Sequence, residues 1–252
     1  MWAIIKYAFK ERIRRKELYI VVAIAILILL LCSSGTATIS IEGEAVTSFR
    51  NMFMVLHTMM NAAGCILAVV LSIRTIPNEY ERGNSHLVWV RGISQPTYHA
   101  GLSVANILGS MMAMGILYLA LTIYVVINGR MDYLIRMIPA FLIVCINVAL
   151  ASLLTSVLSI KLPTVAAGAC GAVFALGGIL HSVLEIYKNI AGGITGKLLN
   201  ILLIIFLNMH GIQTQAQNLL AQKPVDMHVI LVELLSLYII SVGLFVFKKK
   251  EA

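Results

Sequence analysis

Six stretches of this chain carry about 20 mostly apolar residues each, at about 18–37, 52–73, 101–127, 137–158, 164–184 and 227–247. A bilayer core about 30 Å thick is crossed by a helix of about 20 apolar residues. Hydrocarbon offers no partner to backbone N–H and C=O groups, so each run can cross only as a helix that bonds to itself. Charged residues make up 12% of the chain and the mean hydropathy is +0.94. Soluble domains carry about 25% charged residues, so there is too little charge here to cover a water-facing surface. The expected fold is an all-α integral membrane protein: one transmembrane domain over residues 1–252, with six transmembrane helices and no soluble catalytic domain.

The net charge of +8 is not a nucleic-acid signal, because the basic residues sit at the ends of the apolar runs rather than along one face. With six spans, one side collects thirteen of the nineteen lysines and arginines: six before residue 17, then Arg74, Arg82, Arg91, Lys161 and Lys248–Lys250. The other side holds Arg50, Arg130, Arg136, Lys188, Lys197 and Lys223. The positive-inside rule then places both termini in the cytoplasm, as in a prokaryotic cell membrane.

Three segments outside the spans have a character of their own. Residues 1–17 read as an interfacial helix on membrane lipid, with Trp2, Ile5, Phe9 and Ile13 on one face and Lys6, Lys10 and Arg14 on the other. No small-x-small site closes the run that follows, so it reads as a span and not a cleaved signal. Residues 185–226 include a 12-residue apolar stretch, Leu198 to Met209, too short to span and expected to re-enter the bundle from outside. Residues 74–100 form the longest polar interruption on the cytoplasmic side.

Chemistry-bearing motifs are scarce. Cys32, Cys65, Cys145 and Cys170 are too widely spaced for a zinc site or a disulfide framework. Gly192-Gly193-Ile194-Thr195-Gly196-Lys197 has three residues between Gly192 and Gly196 and Leu198 after the lysine, which fails the phosphate-loop spacing. No catalytic, metal or cofactor residues are assigned. Small residues recur every four positions at Ala167, Gly171 and Ala175, a helix-packing pattern. Glu233 is the only acidic residue well inside an expected span, and a carboxylate at that depth must be protonated, paired or facing a wet cavity.

The segment Ile76 to Gln95 places Glu79, Glu81, Arg82 and Gly83 before an apolar Leu87-Val88-Trp89 and a Gly92-Ile93-Ser94 turn. It resembles the cytoplasmic coupling segment of the ABC-2 type exporter permeases, and the layout of the whole chain is similar to theirs. The resemblance implies a permease subunit that works with a second, identical or different, permease subunit and a separate ATPase subunit, Glu79, Glu81, Arg82, Gly83, Leu87 and Trp89 forming the contact. It implies an amphipathic cargo such as a peptide antibiotic, a drug or a lipid-like molecule. Leu203 and Glu233 are then expected to line its outward exit. A proton-coupled transporter using Glu233 and a membrane-embedded enzyme are the rival readings.

Overall fold

In a computed structural model of the chain, residues 1–14, 17–33, 40–41, 44–45, 49–81, 83, 88 and 90–247 are described. They form helices α1 (Trp2–Arg14), α2 (Glu17–Ser33), α3 (Phe49–Ile73), α4 (Thr75–Glu81), α5 (Gln95–Ile127), α6 (Leu134–Lys161), α7 (Thr164–Ile179), α8 (His181–Ala191), α9 (Gly193–Ile205), α10 (Met209–Leu220) and α11 (Met227–Val246). A 3₁₀ turn, Met131–Tyr133, precedes α6, and between α2 and α3 a two-residue strand pair sets Ser40 opposite Ala45. The fold is helical, and four of its helical stretches are long and apolar enough to cross a membrane. Counting each of two bent helix pairs as one span raises this to six.

Helices α3, α5 and α6 form the centre, with α7, α10 and α11 packed around α6. At one end Phe49 stacks on Phe53 and Tyr124, Tyr133 meets Phe49 and Phe53 edge to face, and the Arg130 guanidinium lies 5.6 Å from the Phe49 ring. Aromatic side chains of this kind favour the bilayer–water boundary. At the other end Ile76, Tyr98, Leu102, Val157, Ile160 and Leu244 pack in one cluster with Ile4 and Ala8 of α1. The start of α1 and the end of α11 therefore share one end of the bundle.

The small-residue stripe of α7 is used inside the chain. Ala167 and Ala175 are buried, and a Cβ on Gly171 would meet Thr155 Oγ1 at 2.5 Å and Val69 at 3.2 Å. A second stripe, Gly101, Ala105 and Gly109 on α5, receives α1: Ile4 lies over Gly101 and Arg12 over Gly109. Helix α1 thus runs alongside the first half of α5, and its inward face differs from the one expected of a flat interfacial helix. Ile5 and Arg12 are buried, while Trp2 and Ile13 are exposed.

The expected fifth span, 164–184, is broken: the axis turns by 70° between α7 and α8. Gly192 and Gly193, both at positive φ, then reverse the chain into α9, and the rejected phosphate-loop segment is this turn and the first part of α9. No residue of α8 or α9 is buried. A further bend of 67° leads from α9 into α10, which enters the bundle. Helix α7 meets α10 at Gly178, where a Cβ would stand 2.6 Å from the Leu207 carbonyl and 3.0 Å from Met209. From there α10 continues beside α6 until Arg136 Nη1 donates to the Leu220 carbonyl at 3.1 Å.

Candidate functional site

Two polar regions interrupt the apolar bundle, one at each end. The first surrounds α4. Helix α3 gives way to α4 at Arg74, and the Thr75 hydroxyl and Arg12 both turn to the Leu71 carbonyl, at 3.3 and 2.6 Å. Glu79 is buried and accepts from the Tyr98 hydroxyl at 2.7 Å, and Tyr80 pairs with His99 Nε2 at 2.8 Å and accepts from Gln95 Nε2 at 2.6 Å. These bonds tie α4 to the start of α5. Glu79, expected at the partner contact, is thus buried and fastens α4 to α5.

Beyond α4 the surface is open. Glu81 is exposed, and the Gly83 N–H closes the helix on the Tyr80 carbonyl at 3.1 Å with φ +69°. Only glycine takes that conformation without cost. Val88 packs against the lower cluster, whereas Val90 is 87% exposed beside an exposed Arg91. Arg82, Leu87 and Trp89 lie outside the described residues.

The second region is the break between α9 and α10. Glu233, the seventh residue of α11 and roughly 9 Å along its axis, is buried and accepts from the Asn208 backbone N–H at 2.8 Å. Its other oxygen, Oε2, is buried with no hydrogen-bond partner. The Asn208 side chain caps α10 by accepting from Gly211 N at 2.8 Å, and Asn147 Nδ2 donates to the Met209 carbonyl at 2.8 Å. A carboxylate at a helix N-terminus is favoured by the helix dipole. Irregular backbone at membrane depth is tolerated where protein surrounds it, and here α6, α7 and α11 supply that cover.

Leu203 is half-buried on α9, whose neighbours are mostly exposed; the part that enters the bundle is the polar helix α10. Gln213 accepts from Asn61 at 2.8 Å and donates to Thr58 at 2.6 Å, and Gln217 donates to Thr58 at 3.0 Å. Near them His57 Nε2 lies 2.6 Å from the Tyr118 hydroxyl. The expected residues fall into two separate places, with Glu79, Glu81 and Gly83 at one end and Glu233 and Leu203 toward the other.

The most important residue missed by the sequence reading is Arg12. Its guanidinium is buried, and Nη2 lies 2.7 Å from both Thr75 Oγ1 and Asn106 Oδ1. The available signal was its register: with Ile5 at i and Phe9 at i+4, Arg12 at i+7 falls on the apolar face. Asn61, Asn106 and Asn147 carry a similar signal, a polar side chain inside an apolar run. Cys65, Cys145 and Cys170 are free thiols. No protein-family model matches this sequence, and no curated protein matches it.

Proposed function

We propose that this chain is the membrane permease of an ATP-driven exporter, with ATP hydrolysis in a separate subunit that docks at α4 and the segment after it. One observation carries this reading. Helix α4 is fastened to the bundle through Glu79–Tyr98 and Tyr80–His99 and ends on an exposed Glu81, and Val90 and Arg91 are exposed as well. An exposed apolar residue between charges suits a groove on a soluble partner. A push on a helix fastened in this way is transmitted rather than absorbed. The resemblance of residues 76–95 to an ABC-2 coupling segment supports the same reading, as does the shared end of α1 and α11, which positive-inside counting assigns to the cytoplasm.

Cargo of amphipathic character, moved by a pair of such permeases, fits a bundle with few buried charges. The outward exit lies where α9 breaks into α10 against Glu233, with Leu203 at its flank.

The test is co-purification. An ATPase subunit should come down with the wild-type chain from its own membranes and be lost with Glu81→Ala and Val90→Asp, while both variants stay folded in detergent. Undiminished ATPase recovery with both variants would remove the docking role. The exit is tested by Glu233→Gln and Leu203→Ser, each expected to change ATP-dependent export or basal ATPase rate; normal values for both would reduce the hairpin to a structural element.

A second reading is favoured by one observation, the unpartnered Glu233 Oε2. A proton-coupled transporter would use that oxygen. Transport that survives ATP depletion and stops when the proton gradient collapses would select it.

A further inference from the structure

We infer that Arg12 makes α1 the strut that pins the junction of α3 and α4 to α5, a step that rests on α4 being the partner-facing helix. A buried guanidinium is tolerated only where acceptors surround it, and here they come from three elements. Nη2 lies 2.6 Å from the Leu71 carbonyl in the last turn of α3, 2.7 Å from Thr75 Oγ1 at the start of α4, and 2.7 Å from Asn106 Oδ1 on α5. A cation on the terminal carbonyls of a helix is favoured by its dipole. Arg12 therefore holds the junction of α3 and α4 against α5.

The connection continues beyond Arg12. Thr75 donates to Asn106 Oδ1 at 2.8 Å, and Asn106 Nδ2 donates to Ser156 Oγ on α6 at 3.0 Å. Ser156 bonds back to the Ser152 carbonyl, and the Ser152 hydroxyl pairs with Ser72 of α3 at 2.8 Å. The chain of bonds closes on itself through α1, α3, α4, α5 and α6. Nη2 has two hydrogens for three acceptors, so its bonds can be redistributed as the junction moves without leaving the charge bare. A cavity of about 20 Å³ lined by Ala8, Glu11, Arg12, Thr75, Glu79 and Leu102 lies beside it. That is room for about one water.

The seat of α1 is built for this contact. Gly109 leaves the space that the Arg12 stem fills, and Gly101 leaves the space for Ile4, which a Cβ there would meet at 3.0 Å. Helix α1 is thus held to α5 by shape and to the α3–α4 junction by its arginine. Movement of α4 must then act on α5 and α6 through Arg12 and Asn106.

The test uses the full chain in lipid nanodiscs, its four native cysteines replaced, with spin labels at Glu81→Cys and Ile127→Cys. The wild-type background should give one narrow distance distribution. Arg12→Gln should roughly double its width, because an element that loses its pin samples more than one position. Arg12→Lys keeps the charge and length but not the fork, so it should fold even if glutamine prevents folding and give an intermediate width. Ile13→Ala, on the exposed side of the same helix, should change nothing. Wild-type distributions in Arg12→Lys and Arg12→Gln would overturn the strut.

A second readout uses unlabelled protein with the co-purified ATPase. Arg12→Lys should leave the recovered amount unchanged and lower the permease-dependent part of the hydrolysis rate severalfold. Unchanged stimulation with a changed label distance would overturn transmission. If no ATPase accompanies the wild-type chain, the docking function falls, and the label distances still decide whether Arg12 pins the junction.

Discussion

At residue scale the close packing of this bundle rests on glycines that meet different kinds of neighbour. A Cβ on Gly178 would stand 2.6 Å from the Leu207 carbonyl, which is backbone, whereas one on Gly168 would meet the tip of the Ile73 side chain. Side-chain tips can rotate away, and a carbonyl at a helix break held by its neighbours cannot. Gly178→Ala should therefore cost about 1–3 kcal/mol, the usual range for overpacking, and Gly168→Ala clearly less. Thermal unfolding of the purified variants in detergent checks the order. Either glycine is visible in the sequence, but only the coordinates say which one faces backbone.

At the scale of elements the α8–α9 excursion is fastened by few bonds. None of its residues is buried, and the break into α10 is held by Glu233 on Asn208 N and by Asn147 on the Met209 carbonyl. Removing the acceptor should leave the Asn208 N–H unsatisfied, at about 1–3 kcal/mol. Glu233→Ala is expected to speed proteolysis within residues 192–208 and lower the unfolding temperature. Glu233→Gln keeps an oxygen for that N–H and should do so less. Equal behaviour of the two variants would mean that the bond contributes nothing to seating the hairpin. From the sequence, Leu198 to Met209 is too short to span and is expected to re-enter, because irregular backbone is not tolerated against lipid. Inside a bilayer the exposed surface is apolar too, so lipid can cover α9 while the amides of α10 must find partners in the bundle.

Over the whole molecule, the orientation follows from which end carries the basic residues. Arg91 is exposed near α4, and Lys223 is exposed in the turn before α11, which Arg136 and Leu220 place at the other end. In intact cells Lys223→Cys should react with an impermeant thiol reagent and Arg91→Cys only after permeabilisation. The reverse pattern would place α4 outside, beyond reach of a cytoplasmic ATPase, and with it remove the exporter reading.

Helicity, the membrane setting and the positions of most apolar elements were legible from the sequence, because they depend on local facts: how many apolar residues run together and where charge interrupts them. Glu233 was legible for the same reason, as a carboxylate inside such a run. The polar joints were not, since each is made by residues far apart in the chain. Arg12 meets Leu71, Thr75 and Asn106, Glu79 meets Tyr98, and Gln213 meets Asn61. Tertiary structure also decided that Glu79 turns inward while Glu81 stays outside, and that the expected fifth span turns by 70° between α7 and α8. In a chain with so few charges, the apolar runs determine that it enters a membrane. The pairing of its few buried polar groups determines how it is held once there, because in hydrocarbon an unpaired one costs more than any single apolar contact contributes.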